Sequence, residues 1–527
     1  MQLTRAIRRA VQLRAASPAT IFGARRRTWA EFENRIARFA GTLMRLGLRT
    51  NSRVAILALN SDRYIETIYG TWWAGCISVP LNVRSAPPEL VQMLRDSGAE
   101  VLLVDDPVLQ LAEQMGVSLA LFKQLAPELK HIISMGDAPP PADVLSYEEL
   151  LAKAAPIDDA MRDGDDVAGI YYTGGTTGEP KGVTLTHANM SINAIASLQR
   201  LPDGEDSVYL HAAPMFHLAD IAMMVGITSA PGAHVVIPKF DPADVLRVIS
   251  EERVTVTLLV PTMLGMVLAE FNPAVHDLSS LNMITYGASP MPSAMIEQAL
   301  RVMPSVSFTQ AYGMTELAPV ATVLEAKHHA LSGPYVSKLR SAGRAAQIAD
   351  VKVADPDDRE VPRGTVGQIL VRGPGVMKGY WNQPELTAET LRGGWMHTGD
   401  AGYMDEDGFL YVVDRIKDMI ITGGENVYSA EVENAICKHS AVAMCAVVGI
   451  PHEKWGEQVH AILHLKPGQQ LTEDDVISHC RTLIAGFKCP RSVEFRTEPL
   501  PISGAGKILK RQLRAAYWPE SAAQTAS

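Results

Sequence analysis

Tyr172-Thr173-Gly174-Gly175-Thr176-Thr177-Gly178-Glu179-Pro180-Lys181-Gly182 lies between two apolar runs, Val167-Ala168-Gly169-Ile170-Tyr171 and Val183-Thr184-Leu185-Thr186. That context predicts strand, loop, strand. The loop holds four glycines, three threonines and a lysine. Glycines let successive backbone N–H groups curl toward one point, which makes an anion nest. The threonine hydroxyls add donors, and the lysine adds a charge suited to polyphosphate. A Walker loop is excluded. It needs G-x-x-x-x-G-K-[ST] between a strand and a helix, whereas Lys181 follows Glu179-Pro180 and precedes Gly182.

Outward from the loop, short apolar strands alternate with helical patterns. Trp29, Phe32, Ile36, Phe39, Leu43 and Leu46 keep helical spacing, and Val54-Ala55-Ile56-Leu57 reads as a buried strand. The alternation argues an α/β sheet with both faces covered. Further on, Met283-Ile284-Thr285-Tyr286 and Ser307-Phe308-Thr309-Gln310 are strands that run into Gly-, Ser- or Thr-rich turns. Ligands bind at such strand C-ends in α/β sheets. From about residue 340 the pattern turns β-rich. Past Asp414-Arg415-Ile416-Lys417-Asp418 lies a further piece of about 110 residues, which is domain-sized. The boundary is placed at Lys417, giving domains 1–416 and 417–527.

The chain has 527 residues, too many for one core. Its net charge of −10 disfavours nucleic acid as the main partner. Cys76, Cys437, Cys445, Cys480 and Cys489 have no CxxC spacing and read as reduced thiols of a cytoplasmic protein. Arg5, Arg8, Arg9 and Arg14 precede the first acidic residue, Glu31. This opening reads as an amphipathic first helix of the folded domain, in preference to a transit peptide. The longest apolar stretch, Ile221 to Ile237, contains Pro231, Gly232 and His234, so it is expected to be core and not a spanning helix.

Four separated motifs join the loop: Tyr312-Gly313-Met314-Thr315-Glu316, Thr398-Gly399-Asp400, Asp414-Arg415 with Gly423-Gly424-Glu425-Asn426, and Pro501-Ile502-Ser503-Gly504-Ala505-Gly506-Lys507. Each alone is weak. In this order and spacing, from about residue 20 to 511, they resemble the adenylate-forming superfamily: acyl-CoA synthetases, luciferases and peptide-synthetase adenylation domains. The resemblance implies a large N-terminal domain of two α/β subdomains plus a β-rich subdomain, and a small mobile α+β C-terminal domain. It also implies an acid–CoA ligase that uses ATP, Mg²⁺ and coenzyme A through an acyl-AMP intermediate.

Residue by residue, the resemblance implies the following. Thr173, Gly174, Gly175, Thr176, Thr177, Gly178 and Lys181 cradle the β- and γ-phosphates. Gly287, Ala288 and Ser289 run along the adenine, and Tyr312 stacks on it. Thr315 contacts the α-phosphate and Glu316 holds Mg²⁺. Asp400 accepts from the ribose hydroxyls, with Arg415 nearby. Lys507 bridges the carboxylate and α-phosphate. Lys417 is the hinge, Gly423 and Gly424 line the pantetheine channel, and Trp455 and Phe487 are candidates for the CoA nucleotide.

The acyl pocket is expected around Met215-Phe216-His217-Leu218, Pro261-Thr262-Met263, Tyr286-Gly287 and Ala311 to Pro319. Peptide-synthetase domains carry an Asp where this chain has His217, which argues against an amino acid. His217 instead resembles the gating position of acyl-CoA ligases. These segments hold no Arg or Lys, so a second substrate carboxylate would be buried unpaired. The expected substrate is a medium- to long-chain fatty acid. The alternatives are an aryl acid such as a hydroxycinnamate, or loading of a separate acyl carrier protein. A luciferase-like oxygenase and a non-catalytic relative are the rival classes, and intact Glu316, Asp400 and Lys507 argue against the latter. The expected partner is a small-molecule carboxylic acid, with no nucleic acid and no integral membrane segment; a homodimer stays open.

Overall fold

The computed structural model of the chain describes residues 1–114, 119–174, 180–198, 201–289, 291–502 and 508–518. Among them, four sheets organise the molecule. The first has eight strands. Its centre is parallel, with Arg53–Leu57 flanked by Ile77–Pro80 and Val101–Val104. At one side Val167–Gly174 and Pro180–Thr186 pair antiparallel and enter and leave the glycine-rich loop, as its flanks predict. The short strand Gly379–Tyr380 closes that edge against Val183 and Thr184.

The second sheet has nine strands. Val208–His211, Val256–Leu258, Met283–Gly287 and Ser307–Gly313 run parallel at its centre. Parallel strands are buried on both faces, which is why these segments read as near-continuous apolar runs. Asn60 ties the two sheets together. Its side-chain amide donates to Ala213 O (2.9 Å) and accepts from Met215 N (2.8 Å), and its own N–H reaches Pro238 O. The segment leading to His217 is thereby held from the neighbouring subdomain.

The β-rich part is a four-stranded antiparallel sheet of Asp350–Ala354, Gly367–Arg372, Met396–Met404 and Leu410–Arg415. The last sheet draws only on strands from Ile420 onward, with Val442–His452 and Gly456–Leu465 as its long pair. Ser492–Arg496 adds in parallel beside Gly456–Leu465. The fold is mixed α/β, with a large N-terminal and a small C-terminal domain.

The Arg-rich opening forms the helix Arg5–Arg14. Leu3, Ile7 and Ala10 bury one face, while Arg9 donates to Ser229 O (2.9 Å) and Arg8 pairs with Asp159. The next helix, Trp29–Arg45, starts at a capping box in which Thr28 and Glu31 satisfy each other's backbone N–H. The apolar stretch Ile221 to Ile237 divides into the end of the helix Leu218–Ser229, a turn at Pro231-Gly232 and the strand Ala233–Val236. Among the described residues no helix is long and apolar enough to cross a membrane. All five cysteines are free.

Candidate active site

Three strands bring the polar residues of separate motifs together. Ser307–Gly313 delivers Tyr312, Met396–Met404 delivers Asp400, and Leu410–Arg415 delivers Arg415 directly opposite Asp400 in register. The Tyr312 hydroxyl donates to Asp400 Oδ2 (2.8 Å), and Arg415 Nε lies 3.1 Å from Oδ1. The Asp400 carboxylate is therefore oriented on both oxygens. Burial, and then the charge of Asp400, push the Tyr312 phenol well above its ordinary range, so it stays a donor.

Beside this trio, Glu316 sits in a one-turn 3-10 helix, Thr315–Leu317, and is buried. The Tyr380 hydroxyl donates to Glu316 Oε1 (2.9 Å), and Met377 N donates to its backbone carbonyl (2.8 Å). Burial raises the Glu316 carboxyl, while Tyr380, Arg415 and Lys181 work in the opposite direction. Lys181 Nζ stands 5.6 Å from the Tyr380 ring centroid. Partial burial, then Asp418 against Arg415, Arg511 and Lys181, leaves the Lys417 ammonium below its ordinary range. Lys181 thus stands beside the Tyr380–Glu316 pair and Arg415 beside Asp400, cations placed to meet a polyanion. Tyr380 was not singled out in the sequence. It carries no motif signal, because its link to Glu316 arises only when Gly379–Tyr380 pairs beside the loop-bearing strand.

The backbone of other predicted positions is specialised. A Cβ on Gly287 would stand 2.2 Å from Ala311 O, and one on Gly313 1.9 Å from Pro319 O. Ala288 adopts φ +65° next to half-buried Ser289. Thr173 and Gly174 close the first strand of the loop hairpin and pair with Lys181 and Pro180. Gly423 and Gly424, with φ of +62° and +85°, form a two-residue turn between Ile420–Thr422 and Glu425–Val427. Gly423 N donates to Trp455 O (2.9 Å). Trp455 has Lys454 Nζ 4.7 Å and Arg491 Cζ 5.1 Å from its ring centroids. Phe487 is exposed. Gly175, Thr176, Thr177, Gly178 and Lys507 lie outside the described residues.

His217 is the N-cap of the helix Leu218–Ser229, and its ring packs on Phe216 at 4.4 Å. One face of that helix sends Leu218, Ile221, Met224 and Val225 into the main core. The other sends Ala219 and Met223 against Ala213, Val256, Leu258 and Met283 on the nine-stranded sheet. Thr285 and Thr309 are register partners on that same sheet face, and the Thr309 hydroxyl lies 3.7 Å from Met283 Sδ. The result is an apolar wall with one paired-hydroxyl spot.

The model of the family "AMP-binding enzyme" matches residues 7–381, and that of "AMP-binding enzyme C-terminal domain" matches residues 431–507. The chain belongs to the AMP-binding enzyme family. Within it, this AMP-binding enzyme is 40% identical over 491 residues to a feruloyl-CoA synthase from Amycolatopsis sp, covering 93% of this chain and 94% of that relative. It is 35% identical over 515 residues to a medium/long-chain-fatty-acid–CoA ligase of Mycobacterium tuberculosis, covering 95% and 87%. Among solved structures it superposes on the anthranilate CoA ligase AuaEII in complex with anthranoyl-AMP with a TM-score of 0.88, at 27% identity and covering 99% and 98%. The protein is therefore an AMP-forming acid–thiol ligase of the acyl-CoA synthetase branch, and its reaction uses ATP, Mg²⁺ and coenzyme A.

Proposed function

We propose that this ligase activates a bulky, hydrophobic monocarboxylic acid of the aryl type, such as a hydroxycinnamate, and transfers it to CoA. The observation that carries the reading is the wall beside the Leu218–Ser229 helix. It is apolar at Ala213, Ala219, Met223, Leu258 and Met283, yet offers the Thr285–Thr309 pair to a ring hydroxyl or methoxy group. Its similarity to the feruloyl-CoA synthase and to the anthranilate CoA ligase supports it. A fatty acid is the second reading, favoured by flexible Met223 and Met283 and by the fatty-acid ligase relative. A dicarboxylate is disfavoured, because a second carboxylate would meet no cation on this wall.

In the first step a carboxylate oxygen of the acid attacks the α-phosphorus of ATP, and the bond to pyrophosphate breaks. Phosphoryl transfer leaves the protein chiefly positioning and charge stabilisation. In this reading Asp400, fixed by Tyr312 and Arg415, holds the ribose hydroxyls, and Gly287-Ala288-Ser289 borders the base. Lys181 and the loop around it hold the leaving pyrophosphate, and Lys507 stabilises charge between acid and α-phosphate. Among the described residues no cluster of three or more His, Cys, Asp and Glu could hold a metal. A buried carboxylate such as Glu316 fits Mg²⁺, a hard cation that takes its remaining oxygens from water and substrate phosphates. Bound there with the nucleotide, Mg²⁺ offsets charge on the phosphate oxygens. In the second step the CoA sulfur attacks the acyl carbon and AMP leaves. Gly423, Gly424 and Trp455 are assigned to the CoA side, where Lys454 and Arg491 supply charge. The domain division at Lys417 is supported by the change of sheet between Arg415 and Ile420.

Glu316→Gln keeps a partner for Tyr380 but removes the charge. Even outer partners of a metal are worth about 10–100-fold, so the Mg²⁺ needed for half-maximal pyrophosphate release should rise by at least that. An unchanged Mg²⁺ dependence removes Glu316 as ligand. The acid itself is tested by pyrophosphate release across hydroxycinnamates, benzoates and short- to long-chain fatty acids, with and without CoA. Aryl propenoates should give the highest kcat/KM with CoA-dependent thioester. A preference for fatty acids would replace the first reading with the second.

A further inference from the structure

The helix Leu218–Ser229 carries Gly226 in its interior. Glycine weakens a helix relative to alanine, so it calls for a reason. The usual reasons are absent. Its φ is not in the left-handed region. Apart from its chain neighbours and the helix's own backbone, no heavy atom of the described residues lies within 4 Å of the place a Cβ would occupy. The three other glycines inside described α-helices are explained by close approach. A Cβ would meet Ala155 O at 2.3 Å from Gly41, the Phe39 ring at 2.6 Å from Gly70, and Met295 Cε at 3.0 Å from Gly265. Gly226 is nevertheless buried. It is a buried glycine that faces interior space.

The helical period says where that space lies. Gly226 follows Ala219 by seven residues and Met223 by three, so all three share a face. Ala219 and Met223 pack toward the apolar wall of the nine-stranded sheet. His217 caps the same helix at its other end. At 1.5 Å per residue, Gly226 stands about 13 Å further along the axis than His217.

We propose that Gly226 borders the inner end of the acyl channel, and that its missing side chain sets how long or bulky an acid the enzyme accepts. The residue is specificity-determining and takes no part in the chemistry. The inference rests on the reading that the acid lies along this wall. It extends that reading to acids that reach past Met223: rings with a substituent opposite the carboxylate-bearing arm, or extended alkyl tails.

Gly226→Ala and Gly226→Leu test it, with kcat/KM measured over aryl propenoates of growing substituent and over straight-chain acids of growing length. Gly226→Ala should raise Tm, because alanine favours the helix and meets no neighbour. Gly226→Leu should cut kcat/KM for the longest acids by at least about 10–200-fold, the range set by one misplaced methylene in an apolar pocket. The shortest accepted acid and the KM for ATP should stay within about twofold. Equal loss for every acid, or an unchanged length profile in a folded Gly226→Leu protein, would overturn the proposal. If the wild-type enzyme activates none of these acids, the functional reading falls as well. If it activates them and the variants keep its profile, only the role of Gly226 falls.

Discussion

Replacing Lys507 by alanine is expected to cut acyl-adenylate formation by about 10²–10³-fold, the usual weight of one preorganised group at developing charge. Thioester formation from supplied acyl-AMP and CoA should remain near the wild-type rate. The described residues on either side of the Lys507 segment are tied to each other and to the domain. Ile502 and Ile508 form a bridge, and Leu509 N donates to Pro501 O (2.9 Å), so the two ends of the segment are joined. Immediately after it, Lys510 Nζ pairs with Glu433 (2.7 Å) and donates to Ser429 Oγ (2.6 Å). The Ser429 hydroxyl donates in turn to Asp414 Oδ2 (2.6 Å). Burial works against the charge of Lys510, but Glu433 and Asp414 outweigh it and hold the ammonium above its ordinary range. Asp414 neighbours Arg415, which faces Asp400. A chain of polar contacts therefore runs from the residues that follow the Lys507 segment to the Tyr312–Asp400–Arg415 trio. Pyrophosphate release and CoA consumption, measured separately, check the prediction. Equal loss of both steps would remove the assignment of Lys507 to adenylation.

How much of this was legible in the sequence depends on the kind of information. The order of strands and helices followed from periodicity, because strand burial on both faces leaves continuous apolar runs such as Val54–Leu57 and Val101–Val104. The loop hairpin followed from its flanks. The placement of Tyr312 and Asp400 did not. Gly313 and Gly399 suggested that these residues sit in turns, but both belong to strands, Ser307–Gly313 and Met396–Met404. The pairing shifts register between Tyr312 and Gly313, and again between Ala401 and Gly402. Irregularities of this kind re-aim a side chain without ending the strand, and no local composition distinguishes them from a turn. Likewise Asp414 and Arg415, charged residues at the edge of the domain boundary, still complete the strand Leu410–Arg415. Tyr380 was illegible for a different reason. Its partner Glu316 is distant in sequence, so only the folded sheet edge brings them together.

The second large effect concerns a buried chain beneath the acyl wall that no motif announced. Asp220, on the first turn of Leu218–Ser229, accepts from Tyr209 OH (2.8 Å) and lies 2.6 Å from His211 Nδ1. His211 Nε2 is 3.0 Å from His234 Nδ1, and His234 Nε2 is 3.0 Å from Thr228 Oγ1. All five side chains are fully buried. The Thr228 hydroxyl also reaches Met224 O (2.8 Å) one turn back on the same helix. Burial, and then His211, hold His234 well below its ordinary range. Asp220 therefore anchors a chain of buried polar groups that ties the helix to two strands of the nine-stranded sheet. Asp220→Asn keeps the shape but puts an amide NH₂ where one carboxylate oxygen met Tyr209 or His211. A buried polar group left unsatisfied costs about 1–3 kcal/mol, a sizeable part of the roughly 5–15 kcal/mol that separates folded from unfolded chains. Chemical denaturation should register a loss of that size for Asp220→Asn. The double variant His211→Gln with Asp220→Asn should recover part of it, because a Gln amide can offer an acceptor to the new NH₂. A cost below about 0.5 kcal/mol, the range of ordinary surface substitutions, would remove Asp220 as the anchor of this chain. Because Asp220 is three residues from His217 and on the helix that carries Gly226, a folded Asp220→Asn enzyme should also show its activity loss mainly in the KM for the acid, with the KM for ATP little changed.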